Sequence, residues 1–198
     1  MAKVKAPFFG LGGSGQLGKA IVYGNWKGIP TVREYVEPSN PNTALQSAQR
    51  GKLTAAVLAF HAASFSEADM VAWARLASIQ PKIMSGFNVF CKTHVAEAVA
   101  GNTWTAMSAC VIDTETDEGF DVAVTKASGG DAPHVYAGTR PTFLSDVDTL
   151  EDQTGDSWTC TVAGLEADTD YYVTIIIGAS GDDYGRLGIY KVKTLAAA

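Results

Sequence analysis

The sequence predicts an α+β chain in which a glycine-rich β segment and a small helical unit precede an all-β sandwich. Residues 1–36 combine glycine with aromatic and β-branched side chains, and residues 43–101 repeat apolar side chains at helical spacing. From Trp104 onward, apolar and polar residues alternate. The 198 residues, 46% of them hydrophobic, suffice for one or two domains with a core. We expect an N-terminal domain over residues 1–103 and a C-terminal domain over residues 104–198.

Short strands joined by glycine turns are predicted for the first 36 residues. Four of the eight residues 8–15 are glycine, which is unfavourable inside a helix. Apolar and β-branched residues follow at 20–23 and 29–36. A sheet this thin is marginal by itself, so we expect it to pair with another part of the protein or with a neighbouring subunit.

Three helices are predicted after a connector that contains two prolines. Thr43, Ser66 and Ser85 are the predicted N-caps, and Asp69 completes a capping box with Ser66. The predicted buried positions recur every three or four residues along each helix. They are, in chain order, Leu53, Ala56, Val57 and Phe60, then Met70, Trp73, Ala74 and Ala77, and finally Phe87, Phe90 and Val95. Trp73 is expected to fill the centre of the unit.

The second half contains strand-like segments at residues 122–125, 158–162 and 171–177. Stretches with Gly, Asp and Pro separate them. Regularly spaced short strands over about 95 residues are typical of a β-sandwich.

The three cysteines, Cys91, Cys110 and Cys160, do not make an even disulfide framework. We expect free thiols. A Cys110–Cys160 bridge within the second half is the alternative.

One motif in the second half identifies a fold family. Residues 162–173 contain a Gly-Leu pair, a short polar turn with Thr, and a Tyr that opens the next strand. With this motif, roughly the last 90 residues resemble a fibronectin type III or related immunoglobulin-like domain. The resemblance implies that the Tyr171 hydroxyl bonds back to the preceding corner, with Tyr172 as the alternate, and that Leu165 is structural. Trp158 departs from the family, whose core Trp lies near the second strand.

An ordered series of short motifs runs through the first half. It reads Ser14-Gly15-Gln16-Leu17-Gly18, Trp26-Lys27-Gly28, Arg33, Asn40-Pro41-Asn42-Thr43, Gln49-Arg50, Trp73 and Ser85-Gly86-Phe87-Asn88-Val89-Phe90. Over residues 8–95 the series resembles a group of short proteins encoded in tailed bacteriophages and prophages. The resemblance implies a structural role in a virion.

Seven residues of this series are predicted to serve anchoring and assembly, namely Trp26, Lys27, Arg33, Asn40, Thr43, Gln49 and Arg50. Asn40 and Thr43 can bond to local backbone and begin the first helix. Gln49 and Arg50 can tie the glycine-rich segment to that helix. A docking surface for a partner is the alternative interpretation. Five further residues are predicted to be structural: Trp73, Phe87, Phe90, Leu165 and Tyr171.

The charge is divided unevenly along the chain. Residues 1–103 hold ten Lys and Arg against five Asp and Glu, a net +5, whereas residues 104–198 hold five against sixteen, a net −11. Such a split indicates a basic part that contacts an acidic partner and an acidic part in solvent, with chance drift as the alternative. The total of −6 argues against a general nucleic-acid binder. No apolar run approaches the roughly 20 residues that span a membrane.

The sequence offers no recognisable constellation for catalysis. His61, His94 and His134 are far apart, and no Cys-x-x-Cys spacing occurs, so a zinc site is not expected. The glycine-rich residues 10–15 lack the Lys-Ser/Thr ending of a phosphate-binding loop. We therefore expect no enzymatic activity, no cofactor and no metal.

These observations predict a non-enzymatic virion structural protein, assembled in the cytoplasm of a bacterial host. The first expectation is a head decoration or minor capsid protein, anchored by its N-terminal half and displaying the sandwich. Its expected partners are other virion proteins and further copies of the chain, without nucleic acid or membrane. One alternative is a protein of the tail, collar or fibre. Another is a carbohydrate- or cell-surface-binding module that stacks a host glycan on Trp104, Tyr136, Trp158 and Tyr184.

Overall fold

The computed structural model describes residues 2–3, 14–26, 29–37, 39, 42–127, 129–153, 155–178 and 183–197. The chain divides into two compact units, Met1–Thr43 and Ala44–Ala198. We call them the N-terminal sheet unit and the helix–sandwich body. The division differs from the expected boundary after residue 103, because the predicted helices pack on the sandwich and share its cores.

The N-terminal sheet unit contains four antiparallel strands. They are β1 (Ala2–Lys3), β2 (Gly15–Leu17), β3 (Ile21–Trp26) and β4 (Ile29–Glu34), in the order β1-β4-β3-β2. The two long strands pair in register from Ile21 opposite Glu34 to Trp26 opposite Ile29. The predicted glycine-rich β segment is therefore a sheet, with short strands at both edges.

Three helices begin the helix–sandwich body: α1 (Ala44–Ala62), α2 (Glu67–Ser78) and α3 (Gly86–Ala100). The capping box of α2 is confirmed, since the Ser66 side chain accepts from the Asp69 amide and the Asp69 carboxylate accepts from the Ser66 amide. Ser85 caps α3 by accepting from the Asn88 amide. Gly101 ends α3 with a φ of 100°, a conformation that glycine adopts easily.

Ten strands follow the helices. They are β5 (Thr103–Trp104), β6 (Ser108–Asp113), β7 (Phe120–Thr125), β8 (His134–Arg140), β9 (Phe143–Thr149), β10 (Glu151–Asp152), β11 (Ser157–Val162), β12 (Asp170–Ile177), β13 (Asp183–Arg186) and β14 (Tyr190–Lys193). One sheet has the order β10-β11-β7-β6. The other has the order β5-β13-β12-β8-β9, with β14 also paired to β12. The pairing is antiparallel except between β5 and β13. The α+β fold class with a fibronectin type III or immunoglobulin-like sandwich is confirmed.

The sandwich core lies between the two sheets and follows the alternation in the sequence. Phe120 and Val122 of β7 and Val173, Ile175 and Ile177 of β12 are buried in it. Because alternate residues point to opposite faces of a strand, Tyr172, Thr174 and Ile176 point away from this core.

Helix α2 is covered on two sides, which corrects part of the predicted helix burial. Ala72 belongs to the sandwich core, whereas Trp73 belongs to a second core among the helices. Met70 and Ala74, which were predicted as buried, are exposed, and so is Leu53 of α1. A single apolar stripe is the wrong pattern for a helix with apolar neighbours on two faces.

All three cysteines are free, so the alternative Cys110–Cys160 bridge is not formed. Cys110 and Cys160 both pack with the sandwich core. Burial, followed by the nearby Asp148 and Asp121 carboxylates, raises the pKa of Cys160 to about 12. Burial also raises the pKa of Cys110. Both thiols are therefore protonated and unreactive at neutral pH.

Candidate assembly surface

The strand register of the N-terminal sheet unit sorts its side chains onto two faces. Directly opposed residues of antiparallel strands share a face. Leu17 opposes Ile21, and Tyr23 opposes Val32. Pro30 lies two residues from Val32 and shares its face. These five residues, which we call the apolar face, share their side of the sheet with Asn25, opposite Pro30, and Glu34, opposite Ile21.

The opposite face of the same sheet is mixed, since it carries Val22 and also Ile29, which lies two residues from Thr31. Gln16 opposes Val22, Val22 opposes Arg33 on its other side, and Thr31 opposes Gly24. The Thr31 hydroxyl donates to the Gly24 carbonyl at 3.1 Å. Both faces therefore carry apolar side chains, and the five residues of the apolar face are exposed or half-buried.

Burial within the N-terminal sheet unit is incomplete. Among its residues whose exposure is described (14–25, 29–37, 39 and 42–43), every side chain is exposed or half-buried. Leu17 on the apolar face is 57% exposed. An apolar sheet face that stays open to solvent is typical of a surface that a partner covers.

The structure places two predicted anchoring residues on this sheet. Trp26 ends β3, where its backbone pairs with Ile29. Arg33 lies exposed on β4, on the side of the sheet opposite the apolar face. Lys27 lies outside the described residues.

The other predicted anchoring residues lie near the start of α1. Thr43 directly precedes the helix, at the position predicted for its N-cap, and is exposed. Gln49 and Arg50 are exposed on the helix itself and belong to the helix–sandwich body. Asn40 lies outside the described residues. The seven predicted positions are thus distributed over both units.

The structural residues of the helical unit form an aromatic cluster. Trp73 is fully buried, and its ring lies edge-on to Phe90 with 5.3 Å between ring centroids. Phe87 is half-buried and contacts Phe60 edge-on at 5.0 Å. Edge-to-face aromatic packing stabilises this second core beyond the burial of its area.

The corner before β12 has the geometry that the Gly-Leu-to-Tyr motif implies. The Tyr171 hydroxyl accepts a hydrogen bond from the Glu166 amide at 3.0 Å. Leu165 packs, partly buried, on the sandwich core. The Thr194 hydroxyl donates to the Glu166 carbonyl at 2.6 Å, so the residue that follows β14 closes the same corner.

Asp69 makes more contacts than the capping box that the sequence predicts. Its fully buried carboxylate accepts from the Ser66 and Ala109 amides at 3.0 and 3.1 Å, and from the Cys110 amide at 3.4 Å. The Tyr190 hydroxyl donates to the same carboxylate. One side chain therefore joins α2 to β6 and β14. The local sequence pattern shows only the capping box, because the other donors lie 40 or more residues away.

A backbone contact completes this junction, which we call the helix–sandwich seam. The Ile189 amide donates to the Ala72 carbonyl at 3.0 Å, and Arg75 donates to the Ile189 carbonyl at 2.7 Å. A Cβ on Gly188 would overlap the backbone of Ala72 and Trp73. The short segment between β13 and β14 therefore requires glycine to approach α2 this closely.

Two aromatic residues that were considered for glycan stacking serve packing instead. Trp158 is buried, donates to the Lys126 carbonyl at 3.1 Å, and has the Lys126 ammonium 4.2 Å from its ring centroid. Trp104 packs against the rings of Phe90 and His94, with centroid distances of 5.2 and 5.0 Å. Trp158 therefore has no open ring face, whereas Trp104 is half-buried.

Within the described ranges, no group of three or more His, Cys, Asp or Glu side chains is arranged to hold a metal ion. The helices in the same ranges lack the length and apolar character to cross a membrane.

No protein-family model and no curated protein sequence matches the chain. Among solved structures, the chain is similar to the sensor domain of the anti-sigma factor RsgI4 of Pseudobacteroides cellulosolvens, with 14% identity over 47% of this chain and 96% of that one and a TM-score of 0.36. It is also similar to a fibronectin type III domain from the human KIAA0970 protein, with 14% identity over 60% of this chain and 89% of that one and a TM-score of 0.35. A redesigned β-sandwich protein is 15% identical over 48% of this chain and 98% of that one, with a TM-score of 0.36.

Proposed function

We propose that this chain is a non-enzymatic structural protein of a tailed-bacteriophage virion, a head decoration or minor capsid protein held by its N-terminal sheet unit. The observation that carries the proposal is the apolar face, whose five side chains stay exposed or half-buried among the described residues of the unit. The ordered motif series in the first half supports the same assignment, through its resemblance to phage-encoded proteins.

The physical argument concerns where the apolar face becomes buried. Its Leu, Ile and Val side chains are exposed or half-buried, and fully burying one such side chain contributes about 1.5–3 kcal/mol. Because these side chains are incompletely buried, the sheet gains stability when another virion protein or a second copy of the chain covers them. Contact with a subunit then anchors the chain and completes the fold of the sheet in a single step.

The anchor and the displayed part are assigned to the two compact units of the chain. The anchor is the N-terminal sheet unit, Met1–Thr43, and the displayed part is the helix–sandwich body, Ala44–Ala198. The loops of a β-sandwich cluster at its two ends, where they are accessible to solvent. The helices belong to the displayed part because the seam ties them to the sandwich.

A matched pair of substitutions in β3 tests the anchor. Ile21 and Val22 are adjacent, β-branched and half-buried, but Ile21 lies on the apolar face and Val22 on the opposite face. Particles are purified from a host in which the prophage or phage that encodes the chain carries each variant, and the chain is quantified by mass spectrometry. We expect the wild type and Val22→Asn in the particles and Ile21→Asn absent from them.

Two outcomes would overturn the proposal. Absence of the wild-type chain from purified particles rejects the virion role. Equal incorporation of Ile21→Asn and Val22→Asn rejects anchoring by the apolar face. Electron cryomicroscopy of the same particles distinguishes a head position from the alternatives of tail, collar or fibre.

A further inference from the structure

A cavity of about 390 Å³ lies in the helix–sandwich body, where the C-terminal end of α2 meets the outer surface of the β8-β9-β12-β13 sheet. Leu76 and Ile79 line it from the helix side, and Leu144 and Ile176 line it from the sheet. Tyr136 and Arg186 add a phenol and a guanidinium. The volume falls in the range typical of small-molecule sites.

The strand register explains why a cation lies in this apolar cavity. Ile175 and Ile177 point into the sandwich core, so Ile176 between them points to the outer surface. Arg186 directly opposes Ile176 across the β12–β13 pair and therefore shares that surface. The Arg186 side chain therefore extends from β13 on the side of the sheet that lines the cavity.

Arg186 retains unused hydrogen-bonding capacity. Its Nε is buried and has no hydrogen-bond partner, and the ion pairs found in the described residues do not include it. The Tyr184 side chain is hydrogen-bonded to Arg186, but burial raises the pKa of Tyr184, so the hydroxyl is neutral and this bond leaves the charge of the guanidinium in place. A buried donor without an acceptor is destabilising, and a carboxylate is the acceptor that matches a guanidinium.

The geometry points to a binding site for a small monocarboxylate with an apolar body. The carboxylate pairs with Arg186, and the apolar body packs between Leu76, Ile79 and Ile176. The guanidinium offers a planar pair of N–H donors to both carboxylate oxygens. A positive charge beside aliphatic side chains, in an open groove that Gln80, Thr142 and Thr174 also line, selects this combination over a neutral apolar molecule or a simple inorganic anion.

Two probes that differ in one functional group test the site on the full chain. The ¹⁵N-labelled protein is titrated with 3-phenylpropionate and, separately, with the alcohol 3-phenylpropanol, while amide shifts are followed by NMR. We expect the acid to shift amides around Leu76, Leu144 and Ile176 and to bind at least about tenfold more tightly than the alcohol, since a hydrogen bond to a charged group accounts for a difference of that size. Equal binding of acid and alcohol, or no binding of the acid, overturns the inference.

Two variants that each remove one positive charge test whether Arg186 binds the carboxylate. Arg186→Gln should weaken binding of 3-phenylpropionate by about tenfold or more. Arg140→Gln removes the same charge from an exposed position at the end of β8 and should leave binding unchanged. Equal weakening by both variants would show a general charge effect and reject the site. The comparison of acid and alcohol needs only the wild type, so the test stands even where Arg186→Gln does not fold.

Discussion

The N-terminal sheet unit and the helix–sandwich body differ in what holds them together. In the sheet unit, backbone pairing defines four strands, yet none of the side chains with described exposure is buried. In the body, two apolar cores and the Asp69 network join helices to strands. Hydrogen bonds set the register of a sheet, whereas burial supplies most of its stability. The comparison teaches that the body draws its stability from buried cores, whereas the described part of the sheet unit is held mainly by backbone pairing.

The largest expected loss of stability comes from removing the fully buried ring of Trp73 in the helix–sandwich body. Trp73→Ala should lower the free energy of unfolding by about 3–5 kcal/mol, because it empties the centre of the helical core. Chemical denaturation followed by circular dichroism measures the change. Met70→Ala, an exposed position on the same helix, is the control and should cost less than about 1 kcal/mol. Similar losses for both variants would contradict the two-core description.

A substitution in the helix–sandwich seam should lower the free energy of unfolding almost as much. Asp69→Ala leaves the Ala109 and Cys110 amides and the Tyr190 hydroxyl without their acceptor, and we expect a loss of about 3 kcal/mol. The free energy of unfolding is again the measurement. Glu67→Ala removes an exposed carboxylate from the same first turn of α2 and should cost about 0.5 kcal/mol. If Asp69→Ala lowered the free energy of unfolding as little as Glu67→Ala, the hydrogen bonds of Asp69 would not be what joins α2 to the sandwich.

The corner before β12 should contribute a smaller amount to the free energy of unfolding. Tyr171→Phe removes the acceptor of the Glu166 amide and should cost about 1 kcal/mol. Tyr172→Phe changes the adjacent residue, which points to the other face of the strand, and is the matched control. Denaturation midpoints that rank the two variants in the opposite order would assign the corner to Tyr172.

Local signals predicted the parts of the fold that depend on a few neighbouring residues. Ser66 with Asp69 and Ser85 with Asn88 form their caps within one helical turn, so a short pattern suffices to identify them. The corner at Tyr171 is equally local, since its donor lies five residues away. The alternation of the sandwich strands fixed which residues enter the core.

What the sequence left unpredicted depends on contacts between distant segments. Asp69 looked like a surface cap, because nothing near it in the chain announces the Tyr190 hydroxyl, 121 residues away. Ala72 carries no distinctive side chain, yet its carbonyl meets Ile189 because Gly188 permits the approach. The apolar face emerges only once the register of β3 and β4 is known, since a shift by one residue would exchange the two faces.

The buried His94 should make the body's stability depend on pH. Its ring packs between Phe90 and Trp104, its Nδ1 has no hydrogen-bond partner, and burial lowers its pKa. The folded state therefore disfavours the protonated ring, so this stability is complete above the unfolded value of about 6.5 and is lost as the pH falls below it. Melting temperatures between pH 8 and about 5 measure the effect. His94→Leu should flatten the profile relative to the wild type, whereas His61→Leu, at an exposed position, should not.

The smallest expected effect separates the two units most directly. Val32→Ala shortens a half-buried side chain of the N-terminal sheet unit and should change the melting temperature of the helix–sandwich body by less than about 2 °C. Val173→Ala makes the same change in the sandwich core, where Val173 is fully buried, and should lower that temperature clearly. Differential scanning calorimetry compares the two. Equal shifts would show that the sheet unit contributes to the stability of the body and would contradict the division into two separately stabilised units.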